Sequence, residues 1–249
     1  MTGHSIDYHR RSLSIPRRLM PPLLALHGGR RPEAVAVEEL RSIGVIATDP
    51  ADRHRLDPLV RDLVDVITNP SLVVAAEITA ENGMRESAPR LATFWRKGPR
   101  AVIGLTGDGR QFQLIAAEPA LLPFHVAQAV RLAPRRHPHF AGSFSMPNAL
   151  LARAKELVFV DPDGLAAELS TARVPRRWAE RLIAALTLRR SSWVLDSVWL
   201  HTGTTSTRLC VLDGGFSGFW TIDEQPDGLL TITPAHFDHV LSRIAAMLP

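Results

Sequence analysis

The side chains best able to do chemistry in this sequence are its ten histidines, of which two pairs are close along the chain. His137 and His139 lie in a connector rich in proline and arginine, and His236 and His239 have i, i+3 spacing on a predicted helix. A zinc site normally adds cysteine, glutamate or further histidine at matching spacing. Neither pair has these additions, so we expect solvent-facing or helix-capping histidines and no metal.

Candidate nucleophiles and phosphate loops are equally incomplete. Gly215–Gly218 begins like the Gly-x-Ser-x-Gly turn of hydrolases, but Phe219 stands where the last glycine belongs. The segment Gly104–Gly109 lacks the Gly-Lys-Ser/Thr of a phosphate loop and continues into a predicted strand. The single cysteine, Cys210, falls in a strand pattern, which favours a buried and unreactive thiol. The sequence therefore predicts a protein that is not an enzyme and has no cofactor.

Composition is that of an ordinary globular chain, with 45% hydrophobic and 22% charged residues. The basic residues are nearly all arginines in scattered pairs, not a stripe with interleaved aromatic residues, so we expect no nucleic-acid binding. The N-terminus is not typical of a secretory signal, and no run of about 18 apolar residues could span a membrane. These features predict a cytoplasmic protein without membrane insertion.

The elements that would position functional side chains are clearest in the second half. A helix that begins at Pro234, with Thr233 as its N-cap, is predicted to follow an antiparallel meander of four strands. Further helices precede the meander. The predicted strands are Ser192–His201, Ser206–Leu212, Phe216–Ile222 and Leu229–Thr233, and the predicted helices before them are Asn148–Leu157, Asp163–Ala172 and Pro175–Leu188.

The first half follows the same plan. Its helices are predicted at Pro16–His27, with an interruption near Pro21 and Pro22, and at Glu33–Ile43 and Leu56–Thr68. Pro119 and a helix at Leu121–Leu132 follow its meander. The predicted strands are Leu72–Ile78, Leu91–Arg96, Arg100–Leu105 and Phe112–Ala116, and the connection Thr79–Pro89 between the first two is predicted to be a loop.

Short landmarks recur in one order in the two halves. The segment Ser12–Pro16 (SLSIP) returns as Ser143–Pro147 (SFSMP), and Pro119 matches Pro234. The pattern predicts a duplicated unit of roughly 120 residues. We therefore expect an α+β fold in which residues 1–249 form one domain of two pseudo-repeats, about 12–134 and 143–249.

The central sheet is predicted to be apolar on both faces. In the first strand of the second meander, Trp193 and Trp199 point to one face, and Val194 and Val198 point to the other. Helices on both faces explain this pattern, and so does a partner protein that covers part of one face.

In its organisation the chain resembles the EspG family, the cytosolic chaperones of actinobacterial type VII (ESX) secretion. The resemblance implies a quasi-two-fold fold with a central antiparallel sheet flanked by helical bundles. It is carried by an N-terminal strand and helix, by Glu39-Leu-Arg-Ser-Ile-Gly44-Val, by Leu56-x-x-Leu59-Val60-x-x-Leu63-Val64 before Pro70, by the meander, and by Ser143-Phe-Ser-Met-Pro147.

The resemblance also implies a function, which is the binding of PE–PPE heterodimers. Members of the family recognise the tip of the PPE helical bundle, shield its apolar end and keep the pair soluble before export. A monomer or weak homodimer is expected. The resemblance places the Thr79–Pro89 loop beside the partner, with the second-half sheet and the C-terminal helical region. The candidate contact residues are Glu81, Asn82, Met84, Arg85, Glu86, Trp193, Trp199 and Trp220.

The alternative function is that of a small-molecule-binding enzyme with a cleft between the two pseudo-repeats. A deep pocket with a perturbed titratable residue would favour the enzyme, whereas a shallow apolar face would favour the chaperone. Nucleic-acid binding would require the arginine pairs to converge on one surface.

Overall fold

The fold is described from a computed structural model, which covers residues 5–46, 55–82, 85–86, 89–106, 110–135, 141–200 and 205–248. For residues 80–82, 85 and 86 the description is limited to the backbone. The helices are α1 Met20–His27, α2 Ala34–Ser42, α3 Pro58–Thr68, α4 Leu122–Ala129, α5 Asn148–Leu157, α6 Pro162–Thr171, α7 Arg176–Thr187 and α8 Phe237–Ala246.

The strands form a large sheet. They are β1 Ile6–Asp7, β2 Ser12–Pro16, β3 Leu72–Asn82, β4 Arg85–Glu86, β5 Arg90–Lys97, β6 Arg100–Thr106, β7 Gln111–Ala117, β8 Phe144–Pro147, β9 Ser191–Trp199, β10 Thr205–Asp213, β11 Phe219–Glu224 and β12 Leu229–Ala235. Their order is β1-β2-β7-β6-β5-β3-β9-β10-β11-β12-β8, and β4 pairs with β3. The pairs with a defined register are antiparallel, so the predicted α+β class is confirmed.

The same order of elements occurs twice along the chain. A strand, three helices, a run of strands and a helix make up β2 to α4, and the same series makes up β8 to α8. This order agrees with the predicted duplication. A two-fold relation between the halves remains a prediction.

By their contacts, the residues group into two compact units. Unit 1 comprises Met1–Ala75, Arg90–Leu122 and Ser197–Ser206, and unit 2 comprises Ala76–Pro89, Pro123–Asp196 and Thr207–Pro249. Each unit therefore contains segments from both halves of the sequence, and neither coincides with one predicted pseudo-repeat.

In unit 1, one sheet face packs against α1, α2 and α3. Asp57 caps the N-terminus of α3 by accepting the backbone N–H of Leu59 at 2.9 Å. Near the other end of α3, Asp65 binds Lys97 Nζ at 2.7 Å and Arg100 at 2.5 Å, and these bonds lower the pKa of the Asp65 carboxyl. The core members are apolar and buried, and they include Leu13, Ile15, Leu23, Leu40, Val60, Leu63, Val102 and Leu114.

In unit 2, helices α5, α6 and α7 pack on the sheet through an aromatic cluster. The rings of Phe144 and Trp178 stack with centroids 5.3 Å apart, and Trp178 meets Trp220 edge-on at 6.3 Å. Around them lie Leu151, Leu165, Leu182, Leu212 and Ile232, which are all buried. Helix α8 contacts β11 and buries Val240 and Ile244.

Three prolines have roles other than those predicted. Pro234 does not begin a helix: it belongs to β12 opposite Trp220, and α8 starts at Phe237. Strand β8 pairs only with Leu229–Ile232, so β12 is an edge strand at Pro234, where a missing N–H is tolerated. Pro21 and Pro22 do not interrupt a helix, because they lie in the first turn of α1.

The predicted loop Thr79–Pro89 also differs. Strand β3 continues to Asn82 and pairs with β4, with Glu81 opposite Glu86 and Asn82 opposite Arg85. The described part of this segment is therefore extended and paired as a short two-stranded ladder.

Candidate partner-binding surface

Strand β9 has one closed and one open face. Trp193, Leu195 and Ser197 are at most 2% exposed, whereas Val194 is half-buried and Asp196 is exposed. Because successive side chains point to opposite faces, the tryptophan face is closed and the valine face is open. Trp193 therefore faces the core, and the exposed face of β9 carries Val194 and Asp196 instead.

Strands β10 and β11 continue the same alternation. Leu209 and Val211 are buried on the closed face. On the open face Cys210 lies opposite Ile222, and both are half-buried. Two residues further from this pair along the two strands, Arg208 and Glu224 are exposed. The open face therefore changes from apolar to charged within one step along the strands.

Helix α5 turns this open face into a groove, which we call the β10 groove. Its volume is about 470 Å³. The apolar part consists of Leu151, Val194, Ile222 and Leu230 with Cys210, and the polar part consists of Asn148, Lys155, Arg208, Asp223 and Glu224. An apolar floor with a charged rim is the usual anatomy of a protein-binding patch.

Two ion pairs lie near the groove, one on each face of the sheet, because Asp223 points to the face opposite Ile222 and Glu224. Arg208 Nε lies 3.5 Å from Asp196 Oδ1, and both side chains are more than half exposed. Asp223 accepts two hydrogen bonds from Arg243, at 2.9 and 3.3 Å. The Asp196 carboxylate raises the pKa of Arg208, so the guanidinium stays charged.

Cys210 is placed to pack in the groove and not to react. Burial raises the pKa of its thiol, against a weaker opposite effect of Arg208. A thiol with a raised pKa is protonated near neutral pH and is a poor nucleophile. The arrangement is therefore suited to binding.

At its other end, β10 terminates in a buried ion pair. Asp213 binds Arg135 at 3.1 and 2.7 Å, and it also accepts the backbone N–H of Gly215 at 3.0 Å. The Asp213 side chain is only 5% exposed. Gly215 has φ +60°, and an added Cβ would lie 2.8 Å from the carbonyl oxygen of Leu188, so this turn requires glycine.

The predicted tryptophan contacts fall in different places. Trp193 and Trp220 are 2% and 0% exposed, so their side chains belong to the core. Trp193 lies on the closed face, whereas Trp220 lies on the same face as Ile222 and is covered there by Trp178 of α7. Trp199 is half-buried and belongs to unit 1, whereas Trp193 and Trp220 belong to unit 2. The prediction of a tryptophan-lined contact is corrected for the two buried residues, because their faces are packed by helices or by the aromatic cluster.

The predicted hairpin contacts belong to unit 2 together with the groove. The backbones of Glu81 and Asn82 pair with those of Glu86 and Arg85. Met84 lies outside the described residues, as do the histidines at 137 and 139. His236 and His239 lie exposed at the start of α8.

Sequence reasoning missed the groove residues. Their signal is the alternation in β9 and β10, in which Val194 and Cys210 share their faces with Asp196 and Arg208. A strand face that mixes apolar and charged residues beside a wholly apolar face indicates partial exposure. Of the predicted contact residues, Trp193 and Trp199 lie on the opposite face of β9.

Unit 1 has a smaller pocket of about 330 Å³. Its lining mixes apolar side chains of α3 and β6 with Arg11, Asp62, Arg100 and Glu118. Among the described residues, no three of His, Cys, Asp and Glu lie close enough to hold a metal ion. None of the helices within the described ranges is both long and apolar enough to cross a membrane.

The sequence model of the EspG family matches residues 17–246, which is most of the chain. The chain therefore belongs to the EspG family, as the resemblance predicted. A comparison with curated proteins gave no match.

Among solved structures, the chain is similar to the type VII secretion system chaperone EspG5 of Mycobacterium tuberculosis, determined in complex with the PE25–PPE41 dimer. The TM-score is 0.63 at 14% sequence identity, and the match covers 96% of this chain and 97% of that one. At this level of sequence identity, the similarity shows that the two proteins share a fold.

Proposed function

We propose that this protein is a cytoplasmic, non-catalytic chaperone of type VII secretion that binds a PE–PPE heterodimer. Membership of the EspG family supports the proposal, as does the likeness in fold to a chaperone that binds such a dimer. The observation that carries it is the β10 groove, in which Val194, Cys210 and Ile222 lie half-buried beside charged residues.

The β10 groove has the features that such a partner requires. A partner residue that fills it would remove Val194, Ile222 and Cys210 from water, and apolar burial of this kind drives association. The charged rim, with Arg208 and Glu224, would surround the apolar contact. The closed face beneath, with Trp193 buried, keeps the strands in place during binding.

The β3–β4 hairpin is proposed as a second part of the same surface. Its candidate contacts are Glu81, Asn82, Met84, Arg85 and Glu86. The pairing of β4 with β3 supports this role, because a paired hairpin loses less conformational entropy on binding than a free loop.

The proposal is tested by co-expression with candidate PE–PPE pairs, starting with pairs encoded beside the gene. We expect one pair to co-purify with the chaperone in fixed stoichiometry, and to aggregate when it is expressed alone. Failure of every neighbouring pair to bind, with the chaperone folded, would contradict the proposed function.

The hairpin is tested separately by replacing residues 81–87 with a two-residue Asn-Gly turn. The fold should survive, since the apolar residues of β3 set its register. Binding should weaken by roughly 1–3 kcal/mol if the hairpin supplies a strong contact. Unchanged affinity in a well-folded variant would remove the hairpin from the surface and leave the groove.

The domain organisation is proposed to be one domain of two pseudo-repeats, about 12–134 and 143–249. Both units draw on both halves of the sequence, which supports this organisation. Neither half should then fold when it is expressed alone. A cooperative unfolding transition in an isolated half would contradict it.

A further inference from the structure

The turn between β10 and β11 holds an aromatic side chain in solvent. Phe216, in the turn of residues 214–218, is 75% exposed. Phe219, three residues further on, is 1% exposed, so the same segment sends one phenylalanine to the core and the other to the surface. Because large aromatic side chains gain much free energy from burial, the exposure of Phe216 requires an explanation.

The backbone of this turn has little freedom. The buried Asp213 carboxylate accepts the N–H of Gly215 at 3.0 Å, and the Asp213 carbonyl oxygen accepts the N–H of Arg190 at 2.8 Å. The N–H of Gly214 donates to the carbonyl oxygen of Gly218 at 2.9 Å, and Gly218 has φ +80°. Since these bonds fix the turn before a partner arrives, docking of its aromatic ring costs little backbone entropy.

Two neighbouring side chains extend the exposed surface around the ring. The guanidinium carbon of Arg190 lies 6.0 Å from the centre of the Phe216 ring, and Leu188 is exposed beside the turn. Among the residues that the structure describes, Arg190 has no acidic partner within ion-pair distance. Aromatic residues and arginine are enriched at the centres of protein interfaces. We call Phe216 and Arg190 the Phe216 anchor.

The Phe216 anchor lies at the same end of the sheet as the β3–β4 hairpin. The N–H of Leu200, just after β9, donates to the carbonyl oxygen of Ser71, just before β3. These neighbouring strands are therefore antiparallel, and the end of β3 lies beside the start of β9. The bond between Arg190 and Asp213 joins the start of β9 to the end of β10. Three neighbouring strands span about 10 Å, so a protein that contacts the hairpin can reach the anchor.

We propose that the Phe216 anchor inserts into an apolar pocket of the bound PE–PPE heterodimer, in which an oxygen of the partner accepts a hydrogen bond from Arg190. The inference rests on the proposed function and adds two residues that belong neither to the β10 groove nor to the hairpin. Burial of the ring removes apolar area from water, and Arg190 loses water with it and needs an acceptor. A heterodimer without such a pocket binds less tightly, so the anchor contributes to specificity.

A second copy of the chain is a poorer occupant. In a symmetric dimer the same surface meets itself, so the Phe216 rings of the two copies would face each other. The two Arg190 guanidinium groups would then approach, and like charges that meet across an interface oppose association. The charge of the anchor therefore favours a different protein.

Cross-linking from position 216 tests the contact directly. A photoreactive benzoylphenylalanine replaces Phe216 in the full chain, and in the control it replaces Phe124, which is 63% exposed on α4. With the PE–PPE pair that co-purifies with the chaperone, we expect cross-links from position 216 to an apolar segment of the pair, and far fewer from position 124. Equal yields from the two positions, cross-links only between chaperone copies, or none would overturn the proposal.

Affinity measurements give the contribution of the ring. Binding of the wild type tests the proposed function by itself, and if no pair binds, that function and the anchor both fail. Phe216→Ala should weaken binding by about tenfold or more at an unchanged melting temperature, because the ring is exposed in the free chaperone. Phe216→Leu should retain part of the affinity, and Phe124→Ala should stay within about twofold of the wild type. Wild-type affinity in Phe216→Ala would overturn the anchor and leave the proposed function intact.

A double variant tests whether the stacked pair acts as one contact. Arg190→Ala should weaken binding as well, since the guanidinium holds the ring and donates to the partner. In Phe216→Ala/Arg190→Ala the loss should be smaller than the product of the two single losses, because each side chain positions the other. Unchanged affinity in Arg190→Ala, or independent losses in the double variant, would overturn the proposal of a joint anchor.

Discussion

The two faces of strands β9, β10 and β11 differ in what their residues contribute. On the closed face, Trp193 and Leu209 are at most 2% exposed, and Asp213 forms a buried ion pair with Arg135. On the open face, Val194 is half-buried, and Arg208 forms an exposed ion pair with Asp196. Around Cys210 and Arg208 the alternation of the pleat thus separates side chains for stability from side chains for recognition. Further along the same strands, Leu212 and Trp220 of the open face are buried under the helices. Changes on the first face should affect unfolding, and changes on the second should affect binding.

Trp193→Ala gives the largest expected effect of the closed face. The side chain is 2% exposed, and its removal leaves a cavity in the core. We expect a loss of about 3–5 kcal/mol in the free energy of unfolding. Urea denaturation followed by circular dichroism measures it. A well-folded variant with near-wild-type stability would show that the closed face is not packed as described.

The second largest effect is expected for Asp213→Ala, which should lower the free energy of unfolding by about 3 kcal/mol. The reason is that Arg135 and the backbone N–H of Gly215 lose their buried acceptor. The matched control is Asp196→Ala in the exposed pair, for which we expect a change of less than about 1 kcal/mol. Arg208 lies about 17 Å further along β10, so effects at the two ends should be additive. Equal losses of stability for the two variants would break the comparison between the faces.

Val194→Asp addresses the open face. A carboxylate in the floor of the groove must lose water when the partner binds, so affinity for a PE–PPE pair should fall by about 2 kcal/mol, or roughly thirtyfold. Isothermal titration measures the affinity. Val194→Ala is the control for the loss of apolar area alone and should weaken binding less. Wild-type affinity in a folded Val194→Asp variant would place the partner elsewhere.

The sequence was a good guide to elements and a poorer one to exposure. The spacing of Val60, Leu63 and Val64 correctly predicted the buried side of α3, and the repeated order of strands and helices correctly predicted the class of fold. One error concerned the context of a proline. Pro234 looks like a helix start in isolation, and only the short length of β8 makes its place in a strand acceptable.

The candidate surface could be predicted only in part, for a physical reason. The alternation around Trp193 and Val194 shows that β9 is apolar on two faces. Which face is covered depends on where helices pack, and that is a property of the tertiary structure. Large aromatic residues gain the most from burial, so Trp193 and Trp220 were better candidates for the core than for a contact with water.

The central claim, that a PE–PPE partner occupies the β10 groove, is tested most directly by the alkylation rate of Cys210. Cys210 is the single cysteine of the chain and lines the groove, so the mass of the intact chain reports one site. Because burial raises the pKa of this thiol, alkylation by iodoacetamide should be slow at neutral pH and should rise with pH beyond the usual thiol range. Saturation with a cognate PE–PPE dimer should slow the reaction by about tenfold or more at fixed pH, since only the thiolate of an accessible cysteine reacts. An unchanged rate in a saturated complex would contradict the claim.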